Sequence, residues 1–103
     1  MGLSYIDRVA VAVREQLPDE LMSDEQGVED LFRLYGLLAL AKGTETTAED
    51  VHDAWAVWTV QRGKDHHCVR PFQELGATTQ DEDRPFVEAI HAACRAGLPE
   101  ARA

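Results

Sequence analysis

The stretch TTAEDVHDAWAVWTVQRG, residues 46–63, decides the fold class because it carries a full helix signal. Thr46 followed by Glu49 has the form of a capping box, in which each side chain satisfies a backbone N–H at the start of the helix. Apolar residues recur at helical spacing at Val51, Ala54, Trp55 and Trp58. The stretch therefore predicts an amphipathic helix over about 47–62.

Upstream of this helix, two more helical patterns are present. Ser4 and Asp7 resemble a capping box with Asp in place of Glu, and Pro18 ends a pattern that predicts a helix over 4–17. Its apolar face consists of Ile6, Val9, Ala10, Val13 and Leu17. Ser23 with Gln26 suggests a second box, which would open a helix over 24–42 that closes at Gly43. Residues 34–41 of this helix are nearly apolar all round, which predicts burial on several sides.

Downstream, Gly63, Pro71 and Gly76 interrupt the pattern over 63–78, which we interpret as an ordered irregular loop. Thr79 with Glu82 suggests the start of a last helix over 80–96. The sequence thus predicts an all-α, four-helix single domain over 1–103. It would consist of an N-terminal helical hairpin, 4–42, and a helix–loop–helix unit, 47–96.

Composition restricts the functional classes. The 103 residues carry a formal charge of −9, which disfavours nucleic acid and anionic membranes as partners. No apolar run approaches the ~20 residues needed to span a bilayer, and the N-terminus lacks the pattern of a secretory signal. The two cysteines, Cys68 and Cys94, are expected to be reduced thiols in a cytoplasm.

Three segments of the second half occur in an order and register that resemble the ryanodine-receptor repeat (RyR) domain. They are VHDAWAVW (51–58), HHCVRPFQEL (66–75) and DEDRPFVEAI (81–90). The matching residues are His52, Trp55, His66, Pro71, Phe72, Leu75, Asp83 and Arg84. His67 replaces a family proline, and only Gly63 stands where many members carry a Gly-aromatic-x-Gly segment. The whole chain also resembles small proteins of actinobacteria and their phages.

The resemblance implies a binding module. RyR repeats usually pack as two helix pairs, so residues 4–42 would substitute for the second pair or a homodimer would supply it. In channel proteins the domain resembles a peripheral interaction module. Stand-alone prokaryotic versions are suspected of sensing nucleotide-derived ligands in phage–host conflict.

Four residues in or beside the loop are candidates for ligand contacts: His52, Trp55, His66 and Arg70. Each has a structural alternative. His52 would instead tether the loop through a backbone carbonyl, since buried polar groups generally acquire partners. Trp55 and Trp58 would be core residues, with Trp55 the stronger core candidate, and otherwise a stacking platform. Arg70 would grip a phosphate or carboxylate through its planar fork, or form a surface salt bridge.

A metal site is not expected at His66, His67 and Cys68. Zinc needs four ligands, and neither the Cys-x2–4-Cys nor the His-x3–5-His spacing occurs. In an extended segment the side chain of His67 would point away from those of its neighbours. Cys68 is expected to pack as a small hydrophobe.

The remaining motif residues are interpreted as structural. Pro71 biases Arg70 towards an extended backbone, while Phe72 and Leu75 would anchor the loop on the helix pair. Asp83 and Arg84 would cap the last helix or form an ion pair.

Two functional hypotheses follow. The first is a non-enzymatic binding module without a cofactor, which holds a small anionic, nucleotide-derived ligand in a groove between the third and fourth helices under the loop. The second is a protein–protein interaction or structural module, as a homodimer, with no small ligand. An enzyme ranks last because no nucleophile–base–orienter set or phosphate-cradling loop is recognisable.

Overall fold

The computed structural model describes residues 4–22 and 25–99. This part of the chain contains helices and turns and no strand, so the predicted all-α class is confirmed. Its α-helices are α1 Tyr5–Arg14, α2 Val28–Ala41, α3 Ala48–Gln61, α4 Ala77–Asp81 and α5 Arg84–Ala96. Three 3₁₀ turns lie at Asp19–Leu21, Gly43–Glu45 and Phe72–Glu74. Four helices are long and α4 is a short additional one.

α1 and α2 pack against each other with a close approach between their backbones. The predicted Ser4–Asp7 capping box is present, and Asp7 also accepts a hydrogen bond from Nε of Arg33 on α2 over 2.7 Å. At Gly36, a Cβ atom would lie only 3.3 Å from the backbone nitrogen of Ala10, so α1 packs directly against the α2 backbone there. A larger side chain at position 36 would push the two helices apart.

The start of α2 differs from the prediction. The helix begins at Val28 after Gly27, whose φ of 86° lies in the left-handed region, and not near residue 24. The suggested Ser23 cap lies outside the described residues. The prediction of burial on several sides is confirmed, since residues 34–41 are buried or half-buried except at Leu37 and Ala41.

The capping box of α3 is shifted by one residue from the predicted pair. Thr47 is the N-cap and exchanges hydrogen bonds with Asp50, and Glu49 takes no part. Thr46 is instead buried, with its hydroxyl donating to the carbonyl of Gly43 over 2.8 Å. The cap therefore falls to Thr47, since the Thr46 hydroxyl already has a partner in the preceding turn.

The predicted last helix, 80–96, is wrong in its first part. The segment 77–81 forms the separate helix α4. A turn at Glu82 and Asp83 interrupts the helix, and α5 begins at Arg84. Pro85 lies at the start of α5, where its missing N–H costs no helix bond. Thr79 lies inside α4 and does not cap a helix. Because α4 begins at Ala77 and a 3₁₀ turn lies at Phe72–Glu74, the loop is shorter and more regular than the predicted 63–78.

One hydrophobic cluster fills the space between the long helices, with α2 packed against α1, α3 and α5. Its buried members include Val9, Val13, Phe32, Tyr35, Val51, Trp58 and Ile90. None of the helices in the described part of the chain is long and apolar enough to cross a bilayer.

Candidate functional site

A cavity of about 310 Å³ lies between α2, α3 and the segment that leads from the loop into α5. This volume is at the lower end of the range typical of small-molecule sites, roughly 300–1,000 Å³. The prediction placed a groove between the third and last helices alone. The cavity is also walled by α2, so the N-terminal half of the chain contributes directly to it.

Aromatic rings form much of the cavity wall. They belong to Phe32, Tyr35, Trp55, Trp58 and Phe86. Tyr35 packs edge-on against Phe32 with ring centroids 5.4 Å apart, and lies 5.6 Å from Phe86. These contacts fix the position of the Tyr35 ring and leave flat apolar surfaces around the cavity.

His52 ties the loop to α3. It is buried, and its Nε2 atom lies 2.7 Å from the carbonyl oxygen of Arg70. The prediction of a loop-tethering histidine is therefore confirmed. Because a carbonyl only accepts hydrogen bonds, Nε2 carries the proton and the Nδ1 atom of neutral His52 is an acceptor. His52 also lines the cavity.

Besides the hydrogen bond from His52, ring contacts and one side-chain amide hold the loop in place. The His52 ring lies between those of Trp55 and Phe72, with centroids 5.7 and 6.0 Å away. Trp55 in turn meets His66 edge-on at 5.1 Å, and the Gln80 amide donates to the carbonyl of Phe72 over 2.9 Å. Phe72 and Leu75 are half-buried and Pro71 is exposed. The loop is therefore held by hydrogen bonds as well as by the packing of these side chains.

Tyr35 places a phenol in an almost fully buried position beside the cavity. Its side chain is only 2% exposed, and its hydroxyl has no hydrogen-bond partner among the described residues. Burial raises the pKa of Tyr35, and the nearby Asp83 carboxylate raises it further. The hydroxyl therefore stays protonated and can donate or accept a hydrogen bond from a cavity occupant.

Asp83 is the second polar group that lacks a partner at this cavity. Its carboxylate caps no helix and forms no hydrogen bond or ion pair among the residues the structure describes. Burial raises the pKa of Asp83 to about 6, against an opposing effect of His52. Of the two predicted roles, helix cap or ion pair, Arg84 has the second, with Asp81 as its partner, and the Asp83 carboxylate has neither.

Arg70 is not part of the cavity. Its guanidinium is exposed and lies 3.9 Å from the Glu74 carboxylate, which matches the alternative of a surface ion pair. No lysine or arginine is among the described residues that line the cavity, whereas Glu25, Glu82 and Asp83 are. Glu25 is neutralised by Arg62, so Asp83 and Glu82 set the local charge. The lining disfavours an anion inside the cavity.

The predicted ranking of the two tryptophans as core residues is reversed in the structure. Trp58 is the core residue, 4% exposed, with its indole N–H donating to the carbonyl of Gly27 over 2.9 Å. The Arg62 guanidinium lies 3.9 Å above the Trp58 ring. Trp55 is only half-buried and presents its ring to the cavity and to the loop. Trp55 is therefore the better candidate for a stacking surface.

His66, His67 and Cys68 lie closer together than predicted. The segment turns at 66–69, with the Val69 N–H bonded to the carbonyl of His66, so it is not extended. The two imidazole rings stack at 4.5 Å, and donor atoms of all three residues lie within 4.8 Å of one another. However, Nδ1 of His66 accepts a hydrogen bond from the N–H of Cys68, so in the neutral ring the proton is on Nε2.

This cluster is a poor metal centre in its present arrangement. Metal binding needs a ring nitrogen with a free lone pair, so His66 would have to give up its bond to Cys68, whether it bound the metal through Nδ1 or, after a change of tautomer, through Nε2. Three donors also leave a tetrahedral ion one ligand short. The same hydrogen bond keeps His66 Nδ1 from acting as a base for the Cys68 thiol.

Of the four predicted ligand residues, the structure brings His52, Trp55 and His66 together at the cavity and leaves Arg70 outside. Tyr35 and Phe86 line the cavity but were not predicted as site residues. A hydroxyl on the apolar face of α2 was the available signal for Tyr35.

These features define a class: a small all-α domain with an aromatic, acid-lined cavity beneath a tethered loop. The chain belongs to the family described as "Domain of unknown function (DUF7701)", whose model matches residues 4–95. No curated protein matches the chain. No solved structure matches it either.

Proposed function

We propose that this protein is a non-enzymatic binding module that holds a small ligand in the cavity between α2, α3 and α5. The observation that carries the proposal is the pair of partnerless polar groups, Tyr35 and Asp83, set among aromatic rings. Both groups line the cavity and neither makes a hydrogen bond to the described residues, so an occupant of the cavity could supply the partner that they lack.

The RyR resemblance stays a prediction, and it extends this proposal to nucleotide-derived ligands in phage–host conflict. For such a ligand, the lining favours entry of the base and not of the phosphate. A base could stack on Trp55 and donate its amino hydrogens to Asp83, while phosphate groups would remain at the surface.

A thermal-shift screen tests the proposal with nucleobases, nucleosides, nucleotides and small aromatic amines. Thr79 lines the cavity and Thr78, its exposed neighbour on α4, does not. Thr79→Phe is expected to abolish the shift from any ligand found, and Thr78→Phe to preserve it. Absence of any shift across the panel at millimolar concentrations would argue against the function.

The alternative is an interaction module, as a homodimer, with no small ligand. Exposed Leu37 on α2 and Val57 and Val60 on α3 are the observation in its favour. Sedimentation at several concentrations distinguishes the two functions, because a homodimer that depends on these residues becomes monomeric in Val60→Ser.

A further inference from the structure

We propose that the cavity selects an organic cation, with the Asp83 carboxylate as its counter-ion, the Tyr35 hydroxyl as a hydrogen-bond partner and aromatic rings as its walls. This inference rests on the proposed function and names the ligand class for the same site.

The charges of the lining carry the first step. Asp83 is half-buried and makes no hydrogen bond or ion pair with the described residues. His52 interacts with it electrostatically, but the cavity wall within the described residues supplies no lysine or arginine to neutralise it. A carboxylate withdrawn from water is destabilised until a cation or N–H donors reach it. An incoming ammonium or amidinium group would relieve that destabilisation, whereas a carboxylate or phosphate would increase it.

The buried phenol carries the second step. Tyr35 is 2% exposed, its ring is fixed by Phe32 and Phe86, and its hydroxyl has no partner in the described chain. It lies close enough to Asp83 for the carboxylate to influence its ionisation. Both groups line the same cavity, where a single N–H-bearing ligand could reach both.

The aromatic walls fit the same ligand class. Rings present a negative face, so a cation near Trp55, Phe86 and Tyr35 gains attraction beyond the burial of its apolar part. A cavity of about 310 Å³ has room for one aromatic ring with a short aminoalkyl chain. The combination of rings with one carboxylate recognises amines and amidines.

Three probes of one shape test the charge preference: benzylamine, benzyl alcohol and benzoate. Each is titrated into the ¹⁵N-labelled full chain near neutral pH, with the indole N–H signals of the two tryptophans as the readout. The Trp58→Phe variant assigns the signals. Benzylamine is expected to shift the Trp55 signal in a saturable way and to bind at least tenfold more tightly than benzoate.

Matched variants locate the binding. Asp83→Asn is expected to weaken benzylamine about tenfold, in line with the loss of a charge-assisted bond. Tyr35→Phe is expected to weaken it about threefold to fivefold, the loss of one neutral bond. Glu74→Gln changes the net charge equally but lies outside the cavity, beside Arg70, and is expected to leave affinity within twofold.

The outcomes separate this inference from the proposed function. Equal binding of benzylamine and benzyl alcohol, or a preference for benzoate, overturns the cation assignment and leaves a ligand-binding cavity in place. Loss of affinity in Glu74→Gln as large as in Asp83→Asn also overturns it. If none of the probes binds, the cation assignment fails, and the function fails with it only if the broader screen is also empty.

Discussion

The imidazole of His52 and the backbone carbonyl of Arg70 are joined by a hydrogen bond of 2.7 Å that crosses from α3 to the loop. The two residues are eighteen positions apart, so the bond closes the intervening segment against the helix. The same ring borders the cavity. The shape of the cavity mouth therefore depends on this contact.

Replacement of His52 by Ala is expected to free the loop. The variant loses a buried hydrogen bond and a buried ring, so its free energy of unfolding should fall by about 2–4 kcal/mol. Urea denaturation measures this loss. Hydrogen exchange of residues 64–75 should also accelerate, because their anchor is gone.

His91→Ala is the matched control. Its ring bonds the carbonyl of Thr46 over 2.9 Å, away from the loop. This variant should lose stability without a selective increase in exchange at residues 64–75. Equal effects of the two variants on that segment would contradict a specific tether.

The two tryptophans are expected to differ in their contribution to stability. Trp58→Ala removes a core ring and its bond to Gly27, and should lower the free energy of unfolding by about 3–5 kcal/mol. Trp55→Ala, at a half-buried position, should cost about half as much. Denaturation of both variants measures the difference, and a larger loss for Trp55→Ala would show that the assignment of the core residue is wrong.

The position of the α3 cap can be tested with single alanine replacements. Thr47→Ala should lower the free energy of unfolding by about 1 kcal/mol, because the N-cap hydroxyl is lost. Glu49→Ala should change it by less than about 0.5 kcal/mol, since Glu49 makes no capping bond. Chemical denaturation of both variants decides between the two capping pairs, and the reverse order would restore the Thr46–Glu49 box.

Asp83 should make stability depend on pH in the acidic range. The folded chain holds this proton more tightly than the unfolded chain, because burial raises its pKa from 3.8 to about 6. The stabilisation is present below pH 3.8 and is lost as pH rises through about 6. Asp83 is only half-buried, so screening by solvent reduces the effect to about 1 kcal/mol.

Asp83→Asn removes this dependence and supplies the comparison. Relative to the wild type, the variant should gain about 1 kcal/mol between acidic and neutral pH. Thermal denaturation of both proteins over that range measures the change. A constant difference between them at every pH would mean that Asp83 ionises as freely in the folded chain as in the unfolded one.

Local patterns predicted the helices, and local ambiguity explains the errors. Ser4 and Asp7 offer a single capping choice, which the structure contains. Thr46-x-x-Glu49 and Thr47-x-x-Asp50 both fit the capping pattern, and the bond from Thr46 to the preceding turn decides between them. The break before α5 has a visible cause in Pro85, since it must lie at the start of a helix.

The candidate site was less predictable because it depends on contacts between distant segments. His52 and Trp55 follow each other by one helical turn, so their shared location on α3 could be predicted. Tyr35 and Asp83 are brought together only when α2 packs beside the start of α5. Arg70 was predicted as a ligand residue from its positive charge. The charge of a residue does not determine the direction of its side chain, which here lies beside Glu74 at the surface.

The missing side chain at Gly36 allows α2 to lie close to α1. A Cβ atom at position 36 would lie 3.3 Å from the backbone nitrogen of Ala10, so α1 limits the size of the side chain that α2 can carry there. A bulkier residue there is expected to shift α2, and with it Tyr35, the preceding residue, which lines the cavity. The size of the cavity is thus expected to depend on residue 36, although this residue is not part of the cavity wall.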